Sequence, residues 1–165
     1  MPNLFYTASE PDWDNLAPLP PDPPGKIILI SGSRHHTNLG MVRLWLSRWL
    51  PSLPAGTLIR HGGAVGVDQL AGEIAAETTG LIVECILPDY TAYSRPEAWR
   101  APLDSNTVMV AGGKLHGQTY GPASKCLTFP CGVGGRTWDT ITKALGAGIP
   151  TAVIGEDGRK MASVA

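Results

Sequence analysis

The sequence predicts an α/β fold: a Rossmann-like three-layer sandwich around a mostly parallel central sheet. Two observations predict it. From residue 26 onward, short β-branched runs alternate with longer amphipathic stretches, the pattern of successive β-α-β units. Three of the strand-to-helix junctions are also rich in glycine, as tight turns along one edge of a parallel sheet require. A chain of 165 residues has room for one such domain and not for two.

The elements follow in order. Residues 1–25 are dense in proline (Pro2, Pro11, Pro18, Pro20, Pro21, Pro23, Pro24), which predicts an extended arm without regular helix or sheet. Its Phe5, Tyr6 and Trp13 have three possible places: against the domain, against a neighbouring subunit, or in a loosely ordered leader. The domain proper spans residues 26–155. Its first strand is 26–31 (KIILIS), and a helix over 39–50 stops at Pro51. A second strand at 57–60 leads into a helix over 67–78 closed by Gly80, and a third strand covers 81–87. Residues 88–102 show no period and read as a long functional loop. A short helix at 104–111, a strand at 125–129, a helix at 137–145 and a strand at 151–154 complete the domain, and 156–165 form a tail.

Composition narrows the function classes. The chain is 43% hydrophobic and 16% charged, below the ~25% charge of an average domain. Its net charge of −1 supplies no field to hold a polyanion, so nucleic acid is not the expected partner. Cys85, Cys126 and Cys131 lack the CxxC spacing of a zinc or redox pair and are expected as reduced thiols. No apolar run nears the ~20 residues of a membrane span, and the N-terminus lacks a signal-peptide pattern, so the expected location is the cytoplasm without membrane association. His35, His36, His61 and His116 follow no metal-ligand spacing, and neither a metal nor a cofactor is expected.

The glycine turns are Gly32-Ser33-Arg34, Gly62-Gly63-Ala64-Val65-Gly66, and Gly132 to Thr137. In a parallel sheet all three lie at the carboxyl edge, where open α/β sheets bind ligands. Glycine lets backbone N–H groups approach an anion, and the following helix presents unpaired donors and a positive dipole end. Ser33 and Thr137 add hydroxyls, and Arg34 and Arg136 add forked donors suited to phosphate. One glycine turn alone is explained by backbone geometry; three on one edge with these neighbours point to a phosphate-bearing ligand. His35 is a further candidate for the same edge. No turn matches GxGxxG or GxxxxGK[ST], which argues against ordinary NAD or ATP use.

Ile30-Ser31-Gly32-Ser33-Arg34, then His61-Gly62-Gly63-Ala64-Val65-Gly66-Val67-Asp68, then Asn106 with Met109, then Gly134-Gly135-Arg136-Thr137 before Gly148-Ile149-Pro150, together resemble the SLOG superfamily. That superfamily includes the Smf/DprA proteins, the LOG phosphoribohydrolases and small single-domain members, to which this chain is most similar. The resemblance implies a Rossmann-like sheet and an association with nucleotides, nucleotide-derived signals or single-stranded DNA. It implies ligand contacts from Gly62, Gly63, Gly66 and Asp68, with Asp68 capping the helix or ordering its turn. It implies the same for Asn106 and for Gly134, Gly135, Arg136 and Thr137 in place of the phosphate turn of the LOG enzymes.

The pattern departs from those enzymes where they do chemistry. Their catalytic glutamate falls at Thr140, with Asp139 the nearest acid, and the arginine that close relatives carry before Asn106 is Ser105. Arg136 also stands where the turn would have a glycine. N-glycoside hydrolysis needs an acid or base and a stabiliser of positive charge, so the expected function is binding of a nucleotide or nucleotide-derived signal, as a sensor or sequestering protein. The alternative is a nucleoside 5′-monophosphate phosphoribohydrolase working through Asp139, with Asp68 or Glu73 as further acids; DprA-like binding of single-stranded DNA is a third. Tyr90, Tyr93, Arg95, Trp99 and Arg100 suit either base stacking or an interface. Trp45 and Trp49, four apart on a helix, suit the core or a subunit contact, and with the aromatic arm they lead to an expected homo-oligomer. Cys131 is read as packing.

Overall fold

The computed structural model describes residues 4–6, 10–21, 25–132 and 135–163. Strand β1 is Leu4–Tyr6 and β2 is Ile27–Gly32. Helix α1 (Leu39–Trp49) follows, then β3 (Leu58–His61), α2 (Val67–Glu77) and β4 (Ile82–Cys85). Two single 3-10 turns at Tyr90–Ala92 and Arg95–Glu97 lead to α3 (Arg100–Ala111). The hairpin of β5 (Gly113–Leu115) and β6 (Gln118–Tyr120) precedes β7 (Lys125–Phe129), α4 (Gly135–Gly146), β8 (Thr151–Ile154) and β9 (Lys160–Ser163).

The architecture is the predicted one, an α/β sandwich on a mostly parallel sheet. Its seven strands run in the order β1-β9-β8-β7-β2-β3-β4. From β8 through β4 every neighbouring pair is parallel. The first three parallel strands run outward to one side of β2 and the next two to the other, so the order reverses between β2 and β7. Helices α1 and α2 lie together on one face and α3 and α4 on the other. With both faces covered, β2 opens as a continuous apolar run, Ile27 to Ile30, and β7 is buried at every position.

One core gathers Met41, Val42, Trp45, Leu46 and Trp49 of α1 with Val67, Leu70, Ala71 and Ile74 of α2 over Ile28, Ile30 and Ile59. The other packs Val108, Met109 and Val110 of α3 and Ala144 of α4 over Leu29 and Cys126. Asn38 starts α1 by accepting the Met41 N–H at 3.2 Å. Arg60 is fully buried in β3; its Nε donates to Glu84 of β4 at 2.6 Å, and its Nη1 donates to the carbonyls of Met109 and Gly121.

Two expectations need correction, the arm and the start of α3; a hairpin went unpredicted, and of the two places open to Trp45 and Trp49 the structure shows the core. The proline-rich segment contributes sheet: Leu4, Phe5 and Tyr6 pair antiparallel with Ser163, Ala162 and Met161, so residues 156–165 are likewise not merely a tail. The reason is local, since 3–10 contain no proline and an edge strand needs only one ladder. Helix α3 begins at Arg100 inside the predicted loop, because Pro102 falls in its first turn, where a missing N–H costs no intrahelical bond. The hairpin at 113–120 has strands too short to show a period; its turn is His116-Gly117, both at positive φ (51° and 71°). Trp45 and Trp49 are core residues, with Trp45 Nε1 donating to the Gly158 carbonyl at 2.8 Å and Trp13 of the arm packed edge-on against it. The arm therefore seals its own domain, and these residues give no support to self-association.

Candidate functional site

A cleft of about 430 Å³ opens where the strand order reverses, at the carboxyl ends of β2 and β7. Beyond these strands the chain turns to opposite faces, into α1 and α4, leaving a crevice. Its volume lies within the ~300–1,000 Å³ of small-molecule sites. Ser33, Arg34 and His35 line one side, and Gly135, Arg136, Thr137 and Trp138, the first turn of α4, line the other. Asp68 and Ala64 belong to the same lining, and Tyr90 and Cys131 complete its rim. Gly134 and Val133 lie outside the described residues.

The floor is held by Asp68. Its side chain enters from the first turn of α2, where only 3% of the residue remains exposed. One carboxylate oxygen accepts the Gly32 N–H at 3.1 Å and the other the Gly62 N–H at 2.9 Å, so a single side chain ties the turns after β2 and β3 together. Burial pushes its pKa up to about 6, against the pull of the Gly62 and Gly32 N–H groups, Arg136 and the Ala64 N–H.

This bridge explains the second glycine turn without a ligand. The Gly62 N–H is spent on Asp68, and Gly63 lies against Cys85 and Leu87. Gly66 begins α2 at φ +87°, where a Cβ would stand 2.6 Å from the Arg34 carbonyl oxygen. The first turn is clamped from behind as well, because a Cβ on Gly32 would come within 2.4 Å of the Val67 side chain. Gly62, Gly63 and Gly66 thus back the cleft, and Ser33, Arg34 and His35 face it.

Arg136 is set with equal care. Its Nε donates to Asn106 Oδ1 at 3.0 Å and its Nη2 to Ser105 Oγ at 2.8 Å. Burial lowers its basicity, and the nearby Arg34 cation acts in the same direction, opposed by Asp68, Tyr90 and Asp139. A guanidinium stays charged under such pressure, so the cleft holds two cations with few counter-charges. Asn106 is fully buried; its amide donates to the Arg136 carbonyl at 3.2 Å and to Asp139 Oδ2 at 2.9 Å. It orients the start of α4 and is not part of the lining.

The acid expected to do chemistry is engaged elsewhere. Asp139 Oδ2 also takes an ion pair from Lys143 at 2.7 Å, and the residue is absent from the lining. Asp68 is the carboxyl that reaches the cleft. Of the neighbouring histidines, His35 lines it, while His36 is buried with Nδ1 accepting the Asn38 N–H at 3.0 Å, and burial lowers its basicity. Among the described residues no three His, Cys, Asp or Glu side chains gather as a metal site.

Two lining residues escaped the sequence reading. Trp138, whose Nε1 donates to the Gly132 carbonyl at 2.9 Å, would have been found by starting α4 at Gly135. Cys131, read as packing, sits at the rim with Sγ 3.7 Å from the Thr37 hydroxyl, a contact across 94 positions that no local pattern reveals. Among the described residues no helix is long and apolar enough to cross a membrane.

The chain matches no family model and no curated protein. A similar solved structure is the C-terminal domain of PF1911 hydrogenase from Pyrococcus furiosus, at 15% identity, covering 82% of this chain and 96% of that one with a TM-score of 0.33. A likeness that slight bears on neither fold nor function.

Proposed function

We propose that this protein binds a nucleotide or a nucleotide-derived signal, with the phosphate between Arg34 and Arg136 at the N-terminus of α4. The observation that carries the reading is the pairing of two guanidinium groups with a helix N-terminus at the reversal of strand order. The first N–H groups of a helix lack intrahelical partners and favour an anion. Ser33 and Thr137 offer hydroxyls beside them, and Tyr90 and Trp138 offer ring faces for a base.

The SLOG-like resemblance supports the same reading. Two of the three positions that depart from that pattern, Ser105 and Arg136, are hydrogen-bonded to each other across α3 and α4. An arginine supplied from α4 stands against the serine that replaces one on α3, so the cleft keeps a cation although its source has changed.

Native mass spectrometry of the purified protein, followed by calorimetric titration with nucleoside mono- and diphosphates, tests the proposal. Affinity for at least one phosphorylated nucleoside, absent for the bare nucleoside and reduced tenfold or more in Arg34→Gln, is expected. Equal affinity for nucleoside and nucleotide would refute a phosphate site. A second reading, hydrolysis of the N-glycosidic bond of a nucleoside monophosphate, is favoured by Asp68, a carboxyl poised near neutrality in the lining. Release of free base, lost in Asp68→Asn and retained in Asp139→Asn, would select it.

A further inference from the structure

The two ends of the sheet are finished differently. At one end β1, a three-residue strand, covers β9, and Tyr6 lies against Gly155. At the other end β4 pairs with β3, and among the described residues no strand lies beyond it. Natural edge strands are blunted by proline, by lysine, by a bulge or by a covering segment. The sequence from Leu81 to Leu87, LIVECIL, has no proline and no lysine. Its one charge, Glu84, is drawn inward by the buried Arg60 at 2.6 Å and does not guard the edge.

The strand is also under-covered on both faces. Ile82 is 53% and Val83 37% exposed although they point to opposite sides, and Leu87 is 53% exposed just beyond. The backbone groups facing outward can be identified. Ile82 N–H donates to the Thr57 carbonyl and Ile86 N–H to the His61 carbonyl, so the even-numbered residues bond to β3. Val83 and Cys85 therefore present their N–H and C=O to the free side, together with the C=O of Leu81, whose N–H is spent on the Thr78 carbonyl at 3.3 Å.

We propose that β4 is the seat of a homodimer, in which the strand pairs antiparallel with β4 of a second copy and continues the sheet across a two-fold axis near Val83. A second copy is the partner this edge fits by its own chemistry. Under a two-fold Val83 exchanges N–H and C=O bonds with Val83 of the second copy, and on either side the Cys85 N–H meets the Leu81 C=O of the copy. Val83 meets Val83 on one face, and Ile82 meets the aliphatic stem of Glu84 on the other. A chain of net charge −1 does not repel its copy. The segment leading from β4 to Tyr90 at the rim of the cleft would then start from the interface, which puts the two clefts on one continuous sheet.

Light scattering coupled to size exclusion, over a concentration series, tests this. The expected mass for the full chain is twice 17.4 kDa. Val83→Pro removes an outward N–H and none of the bonds to β3, and Val83→Lys places a charge at the axis; each is expected to give the single-chain mass with an unchanged circular dichroism spectrum. Should the proline variant fail to fold, the lysine variant decides. Phe5→Lys, at the opposite end of the sheet, is expected to remain dimeric. A wild-type chain that stays monomeric throughout, or a dimer that survives in a folded Val83 variant, overturns the proposal.

Discussion

Asp68 ties the turns after β2 and β3 together beneath the cleft. A carboxylate receiving two backbone N–H groups is normally held acidic, yet burial outweighs them and pushes the group up to about 6. An unfolded aspartate titrates near ~3.9, so the folded state binds the proton more tightly. Asp68 therefore contributes stability that is fully present below the unfolded value and is lost as pH rises through about 6. The loss amounts to about 3 kcal/mol by the linkage relation. Urea unfolding of wild type and Asp68→Asn at pH 4.5 and pH 7 isolates this share from that of the other carboxyls. The stability difference between the two proteins should move in favour of the asparagine variant on going to pH 7, and a constant difference would show that burial does not dominate at this site.

At the scale of elements, the glycine turns separate into two jobs that their sequences do not distinguish. Gly66 is fixed both by its φ of +87° and by a Cβ position 2.6 Å from the Arg34 carbonyl oxygen, a backbone atom that cannot step aside. Gly148, after α4, has φ +72° with nothing near its Cβ position. Gly148→Ala should cost about 1–2 kcal/mol from the left-handed backbone alone. Gly66→Ala should cost at least 3 kcal/mol, because about that much strain arises when the clash must be relieved by moving the first turn. Denaturant midpoints of the two variants give the comparison, and similar losses would show that the turn after β2 yields easily. The parallel strands and their helices were legible because each is long enough to show its period and ends in glycine or proline. The acid of the cleft was less legible: Asp139 and Asp68 both open a helix in sequence. Lys143, four residues on along α4, is a partner for Asp139 that the spacing already offers, but only the packing of α3 on α4 brings Asn106 to it. Asp68 turns inward because Gly32 and Gly62, 36 and 6 residues away, offer it donors at once.

For the whole molecule, the decisive arrangement is the closure of the chain's two ends over one side of the sheet. Trp13 packs edge-on against Trp45 at 6.0 Å between ring centres and also approaches Gly158, whose carbonyl takes the Trp45 N–H. Glu10 pairs with Arg159, and Lys160 donates to the Pro18 carbonyl at 2.8 Å. Apart from Trp13 on Trp45, these contacts join residues more than a hundred positions apart, and local pattern, which left the place of Trp13 open among three alternatives, does not reveal them. They also make the ends one cooperative unit with the α1–α2 core, into which Leu16 and Leu19 pack. Trp13→Ala should therefore destabilise the whole domain and not merely loosen an appendage. The cost is about 2–3 kcal/mol, below the ~3–5 kcal/mol of a fully buried tryptophan, since Trp13 is only partly covered. Thermal unfolding followed in parallel by far-ultraviolet circular dichroism and tryptophan fluorescence measures it. A single transition shifted to lower temperature is expected by both probes. An unshifted main transition, with a separate early change in fluorescence alone, would mean that the N-terminal segment melts on its own and leaves the sheet intact.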